Sequence, residues 1–331
     1  MKKVLLGATV LAIFMVTMVG CSSFSEKKTE YVLRLGYGQP TTSTRHVMAE
    51  RFSTWIYEQS QGKIKIELFP GESLGTDKQM TEMAITGSLD LVITAPGVLA
   101  SYEPKLAVLE LPFLFSSRQS VATLLDGKIG EELAESLPQR GIRLLAYWDN
   151  GFRQFTNNKQ PIERVEDFKG LKIRVPENAM TLAILRAYGA SPVVMAFPEV
   201  YPALQRKEID GQENPISTIY SNEFYKVQKY LTILDYKYEA TPLIISEKTW
   251  RRLSPDLQNL LREGALRFAR EQRQLNYAQE TQNLQTMEAL GMDIRRPSLV
   301  PFQKTSQGIY KQWESSLGKD FIDRILHEAR K

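Results

Sequence analysis

The 331-residue chain has one cysteine, Cys21, and two histidines, His46 and His327. A lone thiol forms no internal disulfide and no thiolate metal cluster. Two imidazoles far apart in sequence are too few for a typical zinc site, and a Ser-His-Asp triad would have to recruit one of them. His327 lies in "RILHEARK", a predicted helix end, where an imidazole complements the helix dipole. No G-x-x-x-x-G-K-[ST] loop occurs, and "GYGQPT" lacks the third glycine of a dinucleotide loop. Lys and Arg number 42 against 38 Asp and Glu, a net charge of +4. The two signs are interspersed, with no basic run or basic–aromatic repeat of the kind nucleic acid requires. Catalysis, metal, cofactor and nucleic acid are therefore all poorly provided for. The longest uncharged apolar run, Val4 to Val19, is 16 residues, short of the ~20 that span a bilayer.

That run is informative in its place. Lys2 and Lys3 precede it and Gly20-Cys21-Ser22-Ser23 follows, the order of a secretory signal peptide; an uncleaved anchor is the alternative. Met18-Val19-Gly20-Cys21 resembles the bacterial lipoprotein processing box. The resemblance implies loss of residues 1–20, acylation of Cys21 as the first mature residue, and a membrane lipid as a partner. Cleavage removes two lysines and lowers the formal charge from +4 to +2. The remaining chain exceeds one comfortable core, which predicts two domains.

Residues 21–30 are polar and patternless, as in a flexible tether. A strand is predicted in "YVLRLGY" (31–37), an amphipathic helix in "TRHVMAERFSTWIYEQSQG", and a strand in "KIKIELFP" (63–70). A helix in "DKQMTEMAITGS" and a buried strand in "LDLVITA" (89–95) continue a β-α-β-α-β rhythm, which indicates an open α/β sheet. Beyond residue 140 the rhythm resumes with separate strands in "IRLLAYWDN", "GFRQFTN" and "LKIRV", then helix "NAMTLAILRAYG", "ASPVVMAF" and a helical "PEVYPALQRKEID". A single long helix is predicted from the Ser254 cap and Pro255 to Gly291, roughly 50 Å at 1.5 Å per residue. Such a helix exceeds one small domain and is suited to bracing two lobes.

Three polar clusters stand out. Arg153 lies in "NGFRQFTN" and Arg174 in "GLKIRVPEN". The third is "DGQENP" (210–215), where Asp-Gly and Asn-Pro are turn signals. On residue type alone an arginine on a strand's polar face is a solvated group, and Phe197 in "VMAFPEV" is a core residue.

Together these pieces resemble a known family. "GFRQFTN", "DFKGLKIRVPEN", "GASPVVMAFPEVYPALQ" and "IDGQENPIS" are similar to the solute-binding subunits of TRAP transporters, the DctP-type family. So are "QGKIKIELFPGESLGTDKQMTEMAITGSLDL", "ELPFLF" and the long helix after "LSPDLQ". The resemblance covers residues 31–310. It implies a two-lobed, periplasmic-binding-protein-like α/β fold with a hinge and a long helix spanning both lobes. Residues 31–150 with 240–280 are expected to form lobe I, and 151–239 with 281–331 lobe II. Carried over by motif, Arg174 clamps a ligand carboxylate, Arg153 lines the cleft, Asn214 bonds the same carboxylate and Phe197 packs on the ligand's carbon skeleton. The fixed fork of a guanidinium suits a carboxylate. Glu213 is expected to pair with Arg153, and Lys172 to be solvated. Trp148, Asp149, Gln39 and Glu72 flank sheet edges near the motifs and are further lining candidates. Asp149 and Glu72 in a pocket would favour hydroxyl-bearing ligands.

Two departures matter, one from the sialic-acid-binding branch and one from the wider family. Ala95 and Val98 fall in "LVITAPGVLA", where those members carry Glu and Arg. Tyr236 in "KYLTILDYKYE" stands where the family often has a histidine supporting the Arg–Glu pair. The expected function is thus an extracytoplasmic, lipid-anchored, non-enzymatic binding protein for a small organic acid, a sugar acid or a C4-dicarboxylate. Its expected partners are the small and large membrane subunits of a TRAP permease. A ligand-binding sensor subunit of a two-component system and an extracytoplasmic hydrolase remain alternatives.

Overall fold

Alternation of Leu33, Leu35 and Tyr37, all fully buried, makes β1 (Tyr31–Tyr37) a strand in a computed structural model that describes residues 29–330. The expected leader, Cys21 and the tether as far as residue 28 lie outside the described residues. The last tether residue is already docked, since the Glu30 N–H donates to the Lys63 carbonyl at 2.9 Å.

Nine further strands follow: β2 (Ile64–Phe69), β3 (Leu91–Ile93), β4 (Ile142–Asn157), β5 (Lys172–Val175), β6 (Ser191–Val194), β7 (Gly211–Pro215), β8 (Tyr230–Thr232), β9 (Tyr238–Ser246) and β10 (Asp293–Arg295). Their order is β2-β1-β3-β9-β4-β7-β5-β6, with β8 also beside β4 and β10 beside β8. β2, β1 and β3 are mutually parallel, and β9 enters antiparallel between β3 and β4. The second half is built from β7, β5 and β6, parallel to one another, and from the parallel pair β8–β10.

The two halves share β4. Its residues to Phe152 pair with β9, and from Arg153 onward it pairs with β7 and β8. "IRLLAYWDN" and "GFRQFTN", expected as two strands, are therefore one strand of 16 residues. Asp149-Asn150-Gly151, which reads as a turn, is instead a register shift opposite Ala240 and Glu239, with Gly151 at φ 118°. Only glycine takes that backbone without strain, and such a bulge bends a strand without ending it. "DGQENP" is likewise not a turn: Gly211–Pro215 is fully buried as β7 between β4 and β5.

The long helix, Pro255–Ala289, is capped by Ser254 as the sequence predicts. Its 35 residues span about 50 Å. Leu257, Leu261, Ala265 and Phe268 join the core formed by β1, β3 and Trp148, whereas Met287 joins a separate core with Phe224 and Leu231. One helix thus braces both halves of the sheet. The helix Val300–Leu317 also bridges them: Tyr310 Oη donates to the Pro112 carbonyl at 2.7 Å, and Ser306 Oγ lies 2.9 Å from Tyr188 Oη. Among the described residues no helix is long and apolar enough to cross a membrane.

Two shorter helices place site residues. Thr44–Gln59 starts at Ser43, whose side chain accepts the His46 N–H, and it buries Met48, Phe52 and Ile56. Asp77–Thr86 starts in a capping box between Thr76 and Gln79 and stops at left-handed Gly87; this fixes Asp77 at the first helical position.

Candidate functional site

A cavity of about 300 Å³ lies between the two halves of the sheet. From the first half it is lined by Gly38, Gln39, Arg45, Glu72, the Thr76–Lys78 helix start, Ala95, Val98 and Tyr102. From the second come Arg174, Pro176, Glu177, the Val194–Phe197 segment and Asn214; Asn150, Arg153, Glu239 and Thr241 come from β4 and β9.

The two arginines read from the sequence occupy this cavity in different states. Arg153 is neutralised by two carboxylates. Its guanidinium pairs with the carboxylates of Glu213 and Glu239 and donates to the Glu213 carbonyl at 2.5 Å. Burial alone would depress its pKa, but Glu213 and Glu239 outweigh that and hold it well above the ordinary value. Tyr236 supports the cluster from behind, its Oη donating to Glu213 Oε2 at 2.7 Å. Burial and then the Glu213 charge push that phenol far up, so it stays a neutral donor. Glu239 also accepts from Asn150 Nδ2 at 2.5 Å. Burial pushes its carboxyl up, but Arg153, Lys237 and Arg45 together bring it below the usual carboxylate range.

Arg174 is held but not neutralised. It is 3% exposed, and its Nε and Nη2 donate to one backbone oxygen, that of Met195, at 3.0 and 2.8 Å. Its Cζ stands 5.6 Å from the centre of the half-buried Phe197 ring. Among the described residues it forms no ion pair. Burial lowers its pKa to about 10, against the pull of Glu213 and with a push from Arg153. It therefore remains a cation at neutral pH, oriented by Met195 and Phe197, with Nη1 and the second Nη2 hydrogen not spent on Met195. Asn214 shares the cavity; one of its amide hydrogens goes to Gln212 Oε1 at 2.5 Å.

Of the ten cleft residues read from the sequence, Arg174, Arg153, Asn214, Phe197, Gln39 and Glu72 line the cavity. Glu213 and Tyr236 lie behind its wall. Trp148 and Asp149 do not belong to it, which corrects the sequence reading. Trp148 is fully buried in the core, edge-on to Phe52 at 6.1 Å, with Nε1 donating to the Ala265 carbonyl. Asp149 turns toward the long helix, accepting from Asn276 Nδ2 at 2.6 Å and from Tyr238 Oη. The register shift between Asp149 and Gly151 leaves Asn150 as the extra residue of β4, and Asn150, not Asp149, lines the cavity. Lys172 is exposed. Ala95 and Val98 both line the cavity.

Arg45, Asp77, Asn150, Glu239 and Thr241 were not read from the sequence. Arg45 did carry a signal, being a cation in the first turn of a helix, where the dipole disfavours it. Asp77 carried none, because an acid at a helix start is ordinary. Behind the site Lys237 Nζ pairs with Glu110, which also accepts from Asn178 Nδ2 at 2.7 Å; Lys237 and Glu110 are each 1% exposed. Among the described residues no group of three or more His, Cys, Asp or Glu is placed to hold a metal ion.

Residues 35–316 match the model of the family described as bacterial extracellular solute-binding protein, family 7 (DctP). The 2,3-diketo-L-gulonate-binding periplasmic protein YiaO of Escherichia coli K12 is 34% identical, over 79% of this chain and 80% of its own. The C4-dicarboxylate-binding protein DctB of Bacillus subtilis 168 is 30% identical, over 91% and 87%. Among solved structures, a TRAP periplasmic solute-binding protein from Polaromonas sp. JS666 bound to D-erythronate superposes with a TM-score of 0.87. It is 32% identical and covers 90% of this chain and 98% of that one.

Proposed function

Because this chain belongs to family 7 of the bacterial extracellular solute-binding proteins, we propose that it captures a small organic acid in the cavity and delivers it to the membrane subunits of a TRAP permease. The observation that carries the reading is Arg174, a buried cation in the cavity with no carboxylate of its own. A buried charge is stable only when paired and hydrogen-bonded, so the site calls for an anion. The ligand carboxylate takes the free guanidinium hydrogens of Arg174 and the second amide hydrogen of Asn214. The Phe197 ring covers its carbon skeleton, and Arg153, fixed by Glu213 and Tyr236, forms the cavity floor. Sugar acids and C4-dicarboxylates both fit this description, and the named relatives bind both classes.

The ligand enters by hinge opening. Residues 31–150 with 240–280 form one lobe and 151–239 with 281–331 the other. Opening would break contacts between them that include Lys78–Glu177 at 3.2 Å, Thr42 Oγ1 to the Ser221 carbonyl at 3.0 Å, and Asn222 Nδ2 to Gln39 Oε1 at 3.4 Å. Closure on the ligand then lowers the radius of gyration in small-angle scattering. Acylation of Cys21 tethers the protein to the membrane; the mass of the mature amino terminus tests it, and any first residue other than Cys21 refutes it.

A thermal-shift screen of organic acids tests the binding reading. A ligand at 100 times its Kd adds about 2.7 kcal/mol of stability. Carboxylates should shift the transition, and the corresponding neutral sugars and amides should not. Equal shifts with acids and their neutral analogues would overturn it.

A further inference from the structure

The cavity lies beyond the C-terminal ends of β1, β2 and β3, since Gly38, Glu72 and Ala95 follow those strands. Their N-terminal ends reach a separate face, about 20 Å away across the seven residues of β1. The helix Glu247–Arg252 is fixed to that face. The Glu247 N–H donates to the Gly141 carbonyl at 2.8 Å, and Tyr31 Oη donates to the Arg252 carbonyl at 3.0 Å.

This face is cationic, and its cations are held in place. Arg143 and Arg262, from β4 and the long helix, stand over the Trp250 ring with Cζ at 5.2 and 5.4 Å from its centre. Glu247 accepts from Arg143 Nε and Nη2 and from Arg251 Nε, each at 3.1 Å. Asp90 lies 3.7 Å from Arg252 Nη2, and Lys248 Nζ donates to the Thr86 carbonyl at 2.8 Å. The acids Glu247 and Asp90 are the buried members, 7% and 9% exposed, whereas the Arg251 and Arg252 side chains are 74% and 64% exposed. Arg140, next to Gly141, is exposed as well, and among the described residues Arg140, Lys248 and Arg262 form no ion pair. Asp256 and Glu263 are the exposed acids at the adjoining start of the long helix, and neither pairs with this set. Six cations thus meet the solvent with their two counter-charges beneath them.

The chain enters the fold beside this face, at Glu30 on the Lys63 carbonyl and at Tyr31 on Arg252. Nine peptide units join Cys21 to Glu30, at most about 30 Å when fully extended. An acylated Cys21 therefore holds the entry point close to the lipid, where the local concentration of headgroups is high and weak contacts are populated. Each Lys or Arg near an anionic leaflet gains roughly fivefold in partition, and a guanidinium also forks onto phosphate oxygens. Charge, tether length and entry point all favour a lipid surface.

We propose that the face built by Arg140, Arg143, Lys248, Arg251, Arg252 and Arg262 docks on anionic lipid headgroups and leaves the cavity, at the other end of β1, clear of the bilayer. The inference rests on the acylation of Cys21 proposed above.

Sedimentation with vesicles tests it, using the mature chain from Cys21 without an acyl group. At low salt the protein should partition onto vesicles of about one-third phosphatidylglycerol at least tenfold better than onto pure phosphatidylcholine. At about 1 M salt, where charges are screened beyond about 3 Å, the preference should vanish. Arg140→Gln, Arg251→Gln and Arg252→Gln together should lower it at least tenfold; Lys248→Gln with Arg262→Gln reads the same partition should the triple variant lose its cooperative urea transition. Lys172→Gln, Lys304→Gln and Lys311→Gln remove exposed cations elsewhere and should lower it less than about threefold. No preference for the anionic vesicles, or equal losses in the two triple variants, would overturn the proposal. So would a patch variant that keeps its vesicle binding but slows uptake by the reconstituted permease, an outcome that assigns the face to a protein partner. The mass of the mature amino terminus separates the two readings: vesicle binding without acylation upholds the face alone, and acylation without vesicle binding refutes the face alone.

Discussion

Replacing Arg174 should separate ligand affinity from folding stability, two quantities that usually fall together when a buried residue is removed. With Arg174 as the proposed carboxylate clamp, the bound carboxylate would exchange water for its guanidinium. Arg174→Ala leaves that carboxylate buried and unpaired, at a cost of about 3–5 kcal/mol. At 1.4 kcal/mol per decade the affinity falls at least roughly a hundredfold. Arg174→Lys keeps the charge but not the fork. The Met195 carbonyl, which now takes two hydrogen bonds at 2.8 and 3.0 Å, would compete with the ligand for one ammonium, so binding is badly impaired there as well.

Folding of the unliganded protein responds differently. Arg174 is 3% exposed and forms no ion pair among the described residues, so its charge is a desolvation cost to the empty protein. Losing the bonds to Met195 costs about 1 kcal/mol, and relief of the buried charge offsets it. The apo variant should therefore unfold in urea within about 1 kcal/mol of wild type. Lys172→Ala, two residues earlier and exposed, should leave affinity within about twofold. Calorimetric titration with the acid found by screening, paired with urea unfolding, measures both quantities. Equal small affinity losses at 172 and 174 would show both cations to be solvated groups; a collapse of apo stability at 174 would show a structural role instead.

Three other outcomes are expected. Glu110→Ala strands Lys237 in a site where both residues are 1% exposed, and should cost about 3–5 kcal/mol in urea unfolding; a loss below about 1 kcal/mol would contradict a buried pair. Burial and Asp77 raise the Glu72 carboxyl to about 7 against the pull of Arg174 and with a push from Glu199, while burial and Glu239 raise Asp77 to about 6 against Arg45 and Arg174. Lowering the pH from 8 to 6 thus protonates groups that repel a second carboxylate, so succinate should bind more tightly and Glu72→Gln should flatten that trend; weaker succinate binding at pH 6 would reverse the sign. In a double-mutant cycle, Arg153→Met and Glu213→Gln should couple by about 0.5–3 kcal/mol, as expected for residues in one ion-pair network, and additive effects would dissolve the pair.

What the sequence revealed followed from local regularities. The β1 alternation, the Ser254-Pro255 start of the long helix and the helix in "DKQMTEMAITGS" each rest on a few adjacent residues, and each forms where expected. The misreadings arose where local and global preferences conflict. Asp149-Asn150-Gly151 and "DGQENP" are turn signals, yet the first and Gly211–Pro215 of the second are absorbed into buried strands because β4 and β7 have partners on both sides. Arg45 and Asp77 come from different helices and share a cavity wall only because their helix starts flank it, a relation that no window of sequence contains.

The segment "LKIRV" shows where periodicity stops being informative. Period two puts Lys172 and Arg174 on one face of β5, and the residues between and after them, Ile173 and Val175, are fully buried on the other. Alternation fixes the face but not the depth. β5 begins at the surface, where Lys172 is exposed, and runs inward between β6 and β7, so that two residues later the same face is the wall of the cavity. A cation at the first position costs little in water. A cation at the second must be desolvated, and the chain supplies it with a carbonyl, an aromatic ring and the longer-range pull of Glu213, but with no ion pair among the described residues. A ligand carboxylate in the cavity, as proposed, would complete the pairing that the fold leaves open.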